Sequence, residues 1–138
     1  MTHRVLHAGD AHWRPSNAMG VANTDLAAQL GARSLGARLW RLAPGQACTR
    51  HHHLRETELY VVLEGTGRMR VAEELLTLAP LSAVLVEPDT ERQVFNDTTA
   101  DALWLVVGAP PELELSAEQL AGLYPDGPQA LPPELTER

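Results

Sequence analysis

Between residues 37 and 107 the sequence consists of short β-prone runs separated at several points by turn signals, and this pattern limits what the chain can fold into. The runs are Ala37–Leu42, Ala47–His53, Glu58–Leu63, Gly67–Val71, Leu75–Leu78, Ala83–Val86, Gln93–Asn96 and Ala102–Val107. The turn signals are Pro44-Gly45, Glu64-Gly65, Ala79-Pro80, Glu87-Pro88-Asp89 and Asn96-Asp97. So many short strands in so short a stretch predict an all-β barrel or sandwich.

Short helices are predicted on both sides of these strands. Asn23-Thr24-Asp25 can cap a helix over Asp25–Leu30, which Gly31 would end. The amphipathic segment SAEQLAGLY predicts a second helix with Ser116 as its N-cap. The predicted divisions are an N-terminal lead-in with a short helix at 1–35, a β-barrel at 36–110, and a C-terminal helix with a loosely held, proline-rich tail at 111–138.

The lead-in carries Trp13, Arg14 and Asn17 among glycine, proline and asparagine residues. Such a segment either folds over the mouth of the barrel or lies along an edge strand. We favour edge cover, because an uncovered edge strand is prone to pair with other chains.

Size and charge exclude several classes of protein. The chain has 138 residues, enough for one domain with its own core. Its net charge of −7 argues against a nucleic-acid surface. No apolar run approaches the roughly 20 residues that span a bilayer, and the first residues lack the apolar stretch of a signal peptide. We therefore predict a cytoplasmic protein without nucleic-acid or membrane partners.

His51 and His53 stand two residues apart in the second of these runs. In a strand both side chains would leave the same face, so their imidazoles can converge on one point, while His52 would face the other way. Glu58 can return to that point from the neighbouring antiparallel strand. Two imidazoles and a carboxylate are metal ligands, so the spacing predicts a metal site at His51, His53 and Glu58.

The stretch from Gly45 to Gly65 resembles the first conserved motif of the cupin superfamily, G(X)5HXH(X)3-4E(X)6G. Both glycines and the three predicted metal ligands fall on the positions of that motif. The resemblance implies a small single-domain bacterial cupin, whose fold is a double-stranded β-helix, also called a jelly-roll barrel. The eight predicted strands agree with that fold.

The second cupin motif, G(X)5PXG(X)2H(X)3N, is present only as a degraded copy. When it is aligned on Asn96, the position of the family's last histidine ligand falls on Arg92. An arginine is a permanent cation and cannot bind a metal, so three protein ligands remain. A slip of one residue would place Gln93 there, but it would also move Val94 off the face it should share with the ligands. We therefore keep Arg92.

Cys48 is the single cysteine, which excludes an internal disulfide. A Cys-His nucleophile with His51 is an alternative. The two residues have opposite parity on a strand and should face opposite ways, so we favour a small buried thiol.

Two histidines and one carboxylate form a facial set that leaves positions free for substrate, oxygen or water. This set suits Fe, Mn, Ni or Zn, and the sequence does not select among them. Tyr60 and Trp40 are candidates to line an otherwise apolar pocket, with packing in the core as the alternative for each. Arg92 can hold an anionic ligand bidentately beside the metal or, without a metal, pair with Glu58 and plug the pocket.

The leading hypothesis is a cupin that binds a divalent transition metal and a small anionic molecule. Catalysis stays open, and catalytic residues are not assigned; Glu56, with the parity of Glu58, is the extra carboxylate placed for proton transfer. The main alternative is a non-catalytic binding or sensor module without a metal. A purely structural barrel is the weakest alternative, because it leaves the ligand spacing unexplained.

Two predicted strands, at Leu59–Leu63 and Leu103–Val107, are apolar on both faces. In a small barrel the outer face of such a strand needs a cover. The SAEQLAGLY helix can supply part of it. We expect a homodimer to supply the rest, as in similar small cupins.

Overall fold

A computed structural model describes residues 2–112 and 114–136, and strands dominate this part of the chain. The strands are β1 (Arg14–Pro15), β2 (Ala22–Asp25), β3 (Gly36–Leu42), β4 (Thr57–Glu64), β5 (Gly67–Val71), β6 (Glu74–Leu78), β7 (Ala83–Val86), β8 (Arg92–Phe95) and β9 (Ala102–Ala109). The helices are α1 (Leu26–Leu30), α2 (Ala117–Gly122) and α3 (Pro133–Thr136). None of these helices is long and apolar enough to cross a membrane.

The strands form two antiparallel sheets. One has six strands in the order β1-β2-β3-β9-β4-β7, and the other has three in the order β6-β5-β8. Their facing sides share one core, in which Val62 and Trp104 from the large sheet join Met69 and Val94 from the small one. The all-β prediction is confirmed. Seven of the eight predicted runs match β3 to β9, with ends that agree within two residues.

The two sheets are in close contact at Gly67, where β5 begins. A Cβ atom at this position would lie 2.4 Å from Cγ2 of Val62 and 2.7 Å from Cζ2 of Trp104. Real Cβ atoms do not come so close to other carbons, because van der Waals contact begins near 3.5 Å. The core therefore requires glycine at position 67.

The predicted strand Ala47–His53 is wrong as a regular strand. This segment follows β8 through two isolated bridges, Ala47 with Phe95 and His51 with Arg92. The N–H of Cys48 still donates to the carbonyl of Val94 in β8, but the N–H of His52 donates to the carbonyl of Leu123 in the C-terminal tail. The Thr49 hydroxyl also donates to the tail, at the carbonyl of Pro128. The segment is thus shared between β8 and the tail, which local sequence does not reveal.

The lead-in covers a sheet edge, as expected, through two strands that local preference does not predict. Arg14 in β1 pairs with Asn23 in β2, and Asn23 pairs with Trp40 in β3. Alanine, asparagine and aspartate are poor strand formers, so pairing with β3 determines the conformation of β2.

The predicted helix ends are confirmed. The Asp25 carboxylate accepts a hydrogen bond from the N–H of Ala28, and Gly31 closes α1 with φ of 71°. At α2, Ser116 and Gln119 form a reciprocal capping box. The expectation that α2 covers β4 is not met: among the described residues it makes no extended contact with that strand.

The described part of the tail makes tertiary contacts that the prediction from its proline content did not include. Arg50 pairs with Asp126 at 2.8 Å, and Arg70 pairs with Glu134 at 2.7 Å. The side chain of Gln93 also donates to the carbonyl of Ala130 at 2.9 Å. These tertiary partners fix a segment whose local composition alone predicts little order.

Candidate metal centre

The structure brings His51, His53 and Glu58 together on the inner side of the barrel. Oε1 of Glu58 lies 3.5 Å from Nε2 of His51 and 3.1 Å from Nε2 of His53. One donor atom from each residue lies within 4.8 Å of the other two. Donors about 2.1 Å from a common ion lie about 3.0–3.4 Å apart in octahedral or tetrahedral geometry, so the two nitrogen-oxygen distances suit one metal.

The route by which these residues meet differs from the prediction. Glu58 lies in β4 of the large sheet, whereas the histidine segment is bridged to β8 of the small sheet. The ligands therefore face each other across the barrel instead of coming from neighbouring strands. The three side chains still meet, because those from both sides of the barrel point into the shared interior.

His52 points away from the cluster, as predicted. Its Nδ1 lies 3.2 Å from Oε1 of Glu91, and it does not line the cavity that contains His51 and His53. The contact with Glu91 thus gives His52 a partner outside the cluster.

Both ligand histidines are oriented through their other ring nitrogen. Nδ1 of His51 lies 2.9 Å from the carbonyl of Thr49, and Nδ1 of His53 lies 3.2 Å from Oε2 of Glu112. Each of these partners is an acceptor, which favours the tautomer with the proton on Nδ1 and leaves Nε2 as the atom that can bind a metal beside Glu58.

Glu112 contacts the candidate ligand His53, and its sequence position does not predict that contact. Its Oε1 accepts hydrogen bonds from the N–H groups of Arg55 and Glu56, and its Oε2 contacts His53. Burial alone would raise the pKa of Glu112, but these backbone donors outweigh it and lower the pKa below its ordinary range. Nothing in the local sequence links Glu112 to His53, because they are far apart in the chain.

Glu58 is held as a carboxylate by its neighbours. Burial opposes its ionisation, but the imidazoles of His51 and His53 outweigh that effect and keep its pKa well below the usual range. The Tyr60 hydroxyl also donates a hydrogen bond of 2.8 Å to Oε1 of Glu58. Burial and the nearby Glu58 charge raise the pKa of Tyr60 well above its ordinary value, so it remains a donor.

The structure places Arg92 next to Glu58, and its side chain is not among those that line the cavity. Nη1 of Arg92 lies 3.8 Å from Oε1 of Glu58, and the side chain is 0% exposed. Its expected contact with a ligand therefore stays a prediction, which this geometry does not favour. The alternative Gln93 alignment is wrong, because the Gln93 side chain donates to the carbonyls of Cys48 and Ala130.

The cavity beside the cluster has a volume of about 470 Å³ and is lined by all three candidate ligands. Tyr60 and Trp40 line it, as the sequence suggested. It is not otherwise apolar, since Asp25, Arg38 and Glu56 also line it.

Glu56 lies at the cluster without belonging to it. Its Oε2 is 3.4 Å from Nε2 of His53. Burial and the neighbouring Glu58 charge raise the pKa of Glu56 to about 7. Room for this carboxyl depends on Gly108, where a Cβ atom would lie 2.7 Å from Cδ of Glu56.

Cys48 lines the same cavity as His51, so the parity argument that separated them is wrong. The segment is bridged rather than a continuous strand, and alternation of its side chains fails. Burial, with a further effect from Glu58, raises the pKa of Cys48 to about 12. The thiol is therefore protonated near neutral pH, as expected for a small buried thiol rather than a nucleophile.

The residues present fit a divalent metal. Nε2 of His53 is buried and makes no well-directed hydrogen bond, although a carboxylate oxygen lies nearby. Burial alone would lower the pKa of His53, but the surrounding Glu58, Glu56 and Glu112 raise it, so its Nε2 position favours a positive charge. A metal ion can supply that charge in place of a proton.

Comparison with known proteins gives a family match over the barrel. The sequence profile of the Cupin_2 family, described as a cupin domain, matches residues 38–108. No protein of curated function matches the chain by sequence.

Several solved structures resemble this chain. A protein from Silicibacter pomeroyi, described as a sugar phosphate isomerase of the cupin superfamily, is 27% identical with a TM-score of 0.71, over 78% of this chain and 76% of that one. A protein from Thermus thermophilus is 28% identical with a TM-score of 0.62, over 77% of this chain and 96% of that one. A predicted oxalate decarboxylase from Thermotoga maritima is 16% identical with a TM-score of 0.70, over 78% of this chain and 100% of that one. These likenesses confirm the double-stranded β-helix.

Proposed function

Because this chain belongs to the cupin family, we propose that it binds a divalent transition metal through His51, His53 and Glu58 and holds a small anionic molecule at that metal. The observation that carries the proposal is the convergence of two Nε2 atoms on one carboxylate oxygen, with both Nδ1 atoms turned toward acceptors. The donor set suits Fe, Mn, Ni or Zn.

The proposal includes metal-dependent catalysis. A bound metal would polarise an oxygen of the substrate as a Lewis acid. Glu56 lines the cavity beside His53 and is the candidate for a proton-transfer group. The Silicibacter pomeroyi relative supports a phosphorylated sugar as one substrate class, since such a molecule is small and anionic.

Metal content tests the proposal directly. Protein purified without a histidine tag should contain close to one transition-metal ion per chain by elemental analysis. His51→Ala should lose that metal, whereas His52→Ala, which alters the neighbouring histidine that contacts Glu91, should keep it. Equal metal content in the two variants would contradict the assignment of ligands.

The second candidate is a binding or sensor module that works without a metal. It is favoured by Arg92, a buried cation 3.8 Å from Oε1 of Glu58 that can offset the carboxylate charge on its own. Metal-free protein that binds small anions as tightly as metal-loaded protein would support this candidate over the first.

We also propose that the protein is a cytoplasmic homodimer. Leu59 and Leu85 are paired across β4 and β7 and are 38% and 61% exposed, so an apolar strip remains on the outer face of the large sheet. Light scattering at micromolar concentration should give twice the monomer mass. A monomer would show that this strip needs no partner.

A further inference from the structure

Arg38 is a cation that lines the cavity, and the sheet register relates it to Glu58. In the large sheet, Gly36, Gly108 and Glu58 stand side by side, and Arg38, Val106 and Tyr60 form the adjacent row on the same face. Arg38 is therefore two strands across and two residues along from Glu58, about 12 Å between Cα atoms for ordinary strand spacings. Both side chains line the cavity, so a small molecule can bridge them.

The guanidinium of Arg38 is held in place from behind. Its Nη2 lies 2.9 Å from Oδ2 of Asp25, and its Nη1 donates to Oδ1 of Asn23 at 2.9 Å. Asn23 is 2% exposed and donates to the carbonyls of Arg14 and Val21. Because arginine has five N–H donors, three remain for a ligand.

The charges around the cavity favour an anion only when a metal is present. Among the lining groups, Arg38 faces the carboxylates of Asp25 and Glu58, together with Glu56 when it is ionised. With the imidazoles of His51 and His53 neutral, as metal binding requires, and with no metal bound, this set is negative and disfavours anions. A divalent metal at the cluster neutralises it, and the remaining attraction for an anion is then concentrated at the metal and at Arg38.

We propose that Arg38 binds the anionic end of the ligand while the metal centre binds an oxygen donor at the other end. This inference rests on the proposed function and narrows its ligand class to molecules with an oxygen donor and a carboxylate or phosphate group separated by a short carbon chain. It also transfers the anion-binding role from Arg92, which lies behind Glu58, to Arg38. Bidentate recognition by guanidinium suits either anionic group.

A purely structural role for Arg38, as a brace for Asp25 and Asn23, is the competing explanation. The side chain is 40% exposed and lines the cavity, which a brace does not require. Asp25 is also bonded to the N–H of Ala28 at the start of α1, so it does not depend on Arg38 alone.

The test uses protein loaded with Mn(II) and calorimetric titration with succinate, glutarate, phosphoglycolate and, as a short probe, oxalate. Arg38→Met should weaken binding of the longer probes about ten- to a hundredfold, the range for losing a charged hydrogen-bonding partner. Oxalate, which is too short to bridge the two groups, should be little affected. The carboxylate and phosphate probes distinguish the two kinds of anionic end.

The matched control is Arg41→Met. Arg41 lies in the same strand with a side chain 39% exposed, but it pairs with Glu64 at 3.5 Å and does not line the cavity. This control should leave both metal and anion binding unchanged. Arg38→Met should leave Mn(II) affinity intact, which separates failure of this inference from failure of the metal centre.

Equal losses for Arg38→Met and Arg41→Met, or equal effects on oxalate and the longer probes, would overturn the role of Arg38 while leaving the metal proposal standing. The absence of any anion binding by Mn(II)-loaded wild-type protein would do the same. If wild-type protein fails to bind Mn(II) or any other divalent transition metal, both proposals are wrong. If Arg38→Met does not fold, Arg38→Gln keeps a donor toward Asp25 and Asn23 and carries the same expectation.

Discussion

The carboxylate of Glu112 lies 3.2 Å from Nδ1 of His53 and accepts hydrogen bonds from the backbone N–H groups of Arg55 and Glu56, which lead into β4. It thereby ties the orientation of a candidate metal ligand to the position of the strand that carries Glu58. Such contacts to the far side of a ligating imidazole fix its tautomer and strengthen it as a donor.

Glu112→Ala should lower metal affinity about ten- to a hundredfold, because His53 loses the acceptor that orients its ring. Glu114→Ala is the control, since Glu114 is an exposed carboxylate two residues further on. Competition titration against a chromogenic chelator measures both. Equal affinities in the two variants would show that Glu112 has no role in orienting the ligand.

Arg92→His should raise the affinity for a divalent transition metal at least about tenfold, because it removes a buried cation near Glu58 and adds an imidazole donor. Arg92→Met removes the charge without adding a donor, so it should fall between the wild type and Arg92→His. The same titration separates the two contributions. If neither variant differs from wild type, the Arg92 side chain does not act on the cluster.

In chelator-treated protein, stability should be greatest near about pH 4.3, the ordinary pKa of glutamate, because the raised pKa of Glu56 already removes stability as pH rises from that value toward 7. The pKa of Glu58 is depressed in the folded state, so its contribution is complete above the unfolded value and is lost as pH falls. The pKa of His53 is raised, so its contribution is complete below the unfolded value and is lost as pH rises through the folded one. Urea midpoints across this range measure the profile, and Glu58→Gln should flatten both sides.

Gly108→Ala should destabilise the protein by about 1–3 kcal/mol, the usual cost of overpacking, because the added methyl group displaces the Glu56 carboxyl. Gly36 is its cross-strand partner, and a Cβ atom there would lie 4.0 Å from the nearest neighbour. Gly36→Ala should therefore stay within about 0.5 kcal/mol of wild type. Urea denaturation at neutral pH compares the two, and equal losses would contradict the crowding at Gly108.

Local patterns were sufficient to predict most of the barrel. Short β-prone runs with turn residues at their ends fixed seven strands, and the spacing of His51, His53 and Glu58 predicted the cluster. The prediction of the cluster holds although the predicted strand pairing is wrong. The three side chains need only point into the barrel, and this does not depend on which strand the histidine segment pairs with.

The remaining features depend on contacts between distant parts of the chain. Cys48 faces the cavity because its segment is bridged rather than regular, and strand parity cannot reveal that. Arg38 reaches the site through sheet register and Glu112 through the segment that follows β9, and neither leaves a local signal. Contacts between distant parts of the chain determine where these three residues lie, so the periodicity of the local sequence cannot predict it.

The tail bonds to Thr49, Arg50 and His52, and these residues hold the backbone that presents His51 and His53. Residues 123–128, which supply those bonds, are made long after the histidines during synthesis. The bridges to β8 restrain the same backbone from the barrel side, so the tail is a second, independent restraint on it. Proteolytic trimming of the tail should therefore weaken metal capture while it leaves the sheet ladders of the barrel intact.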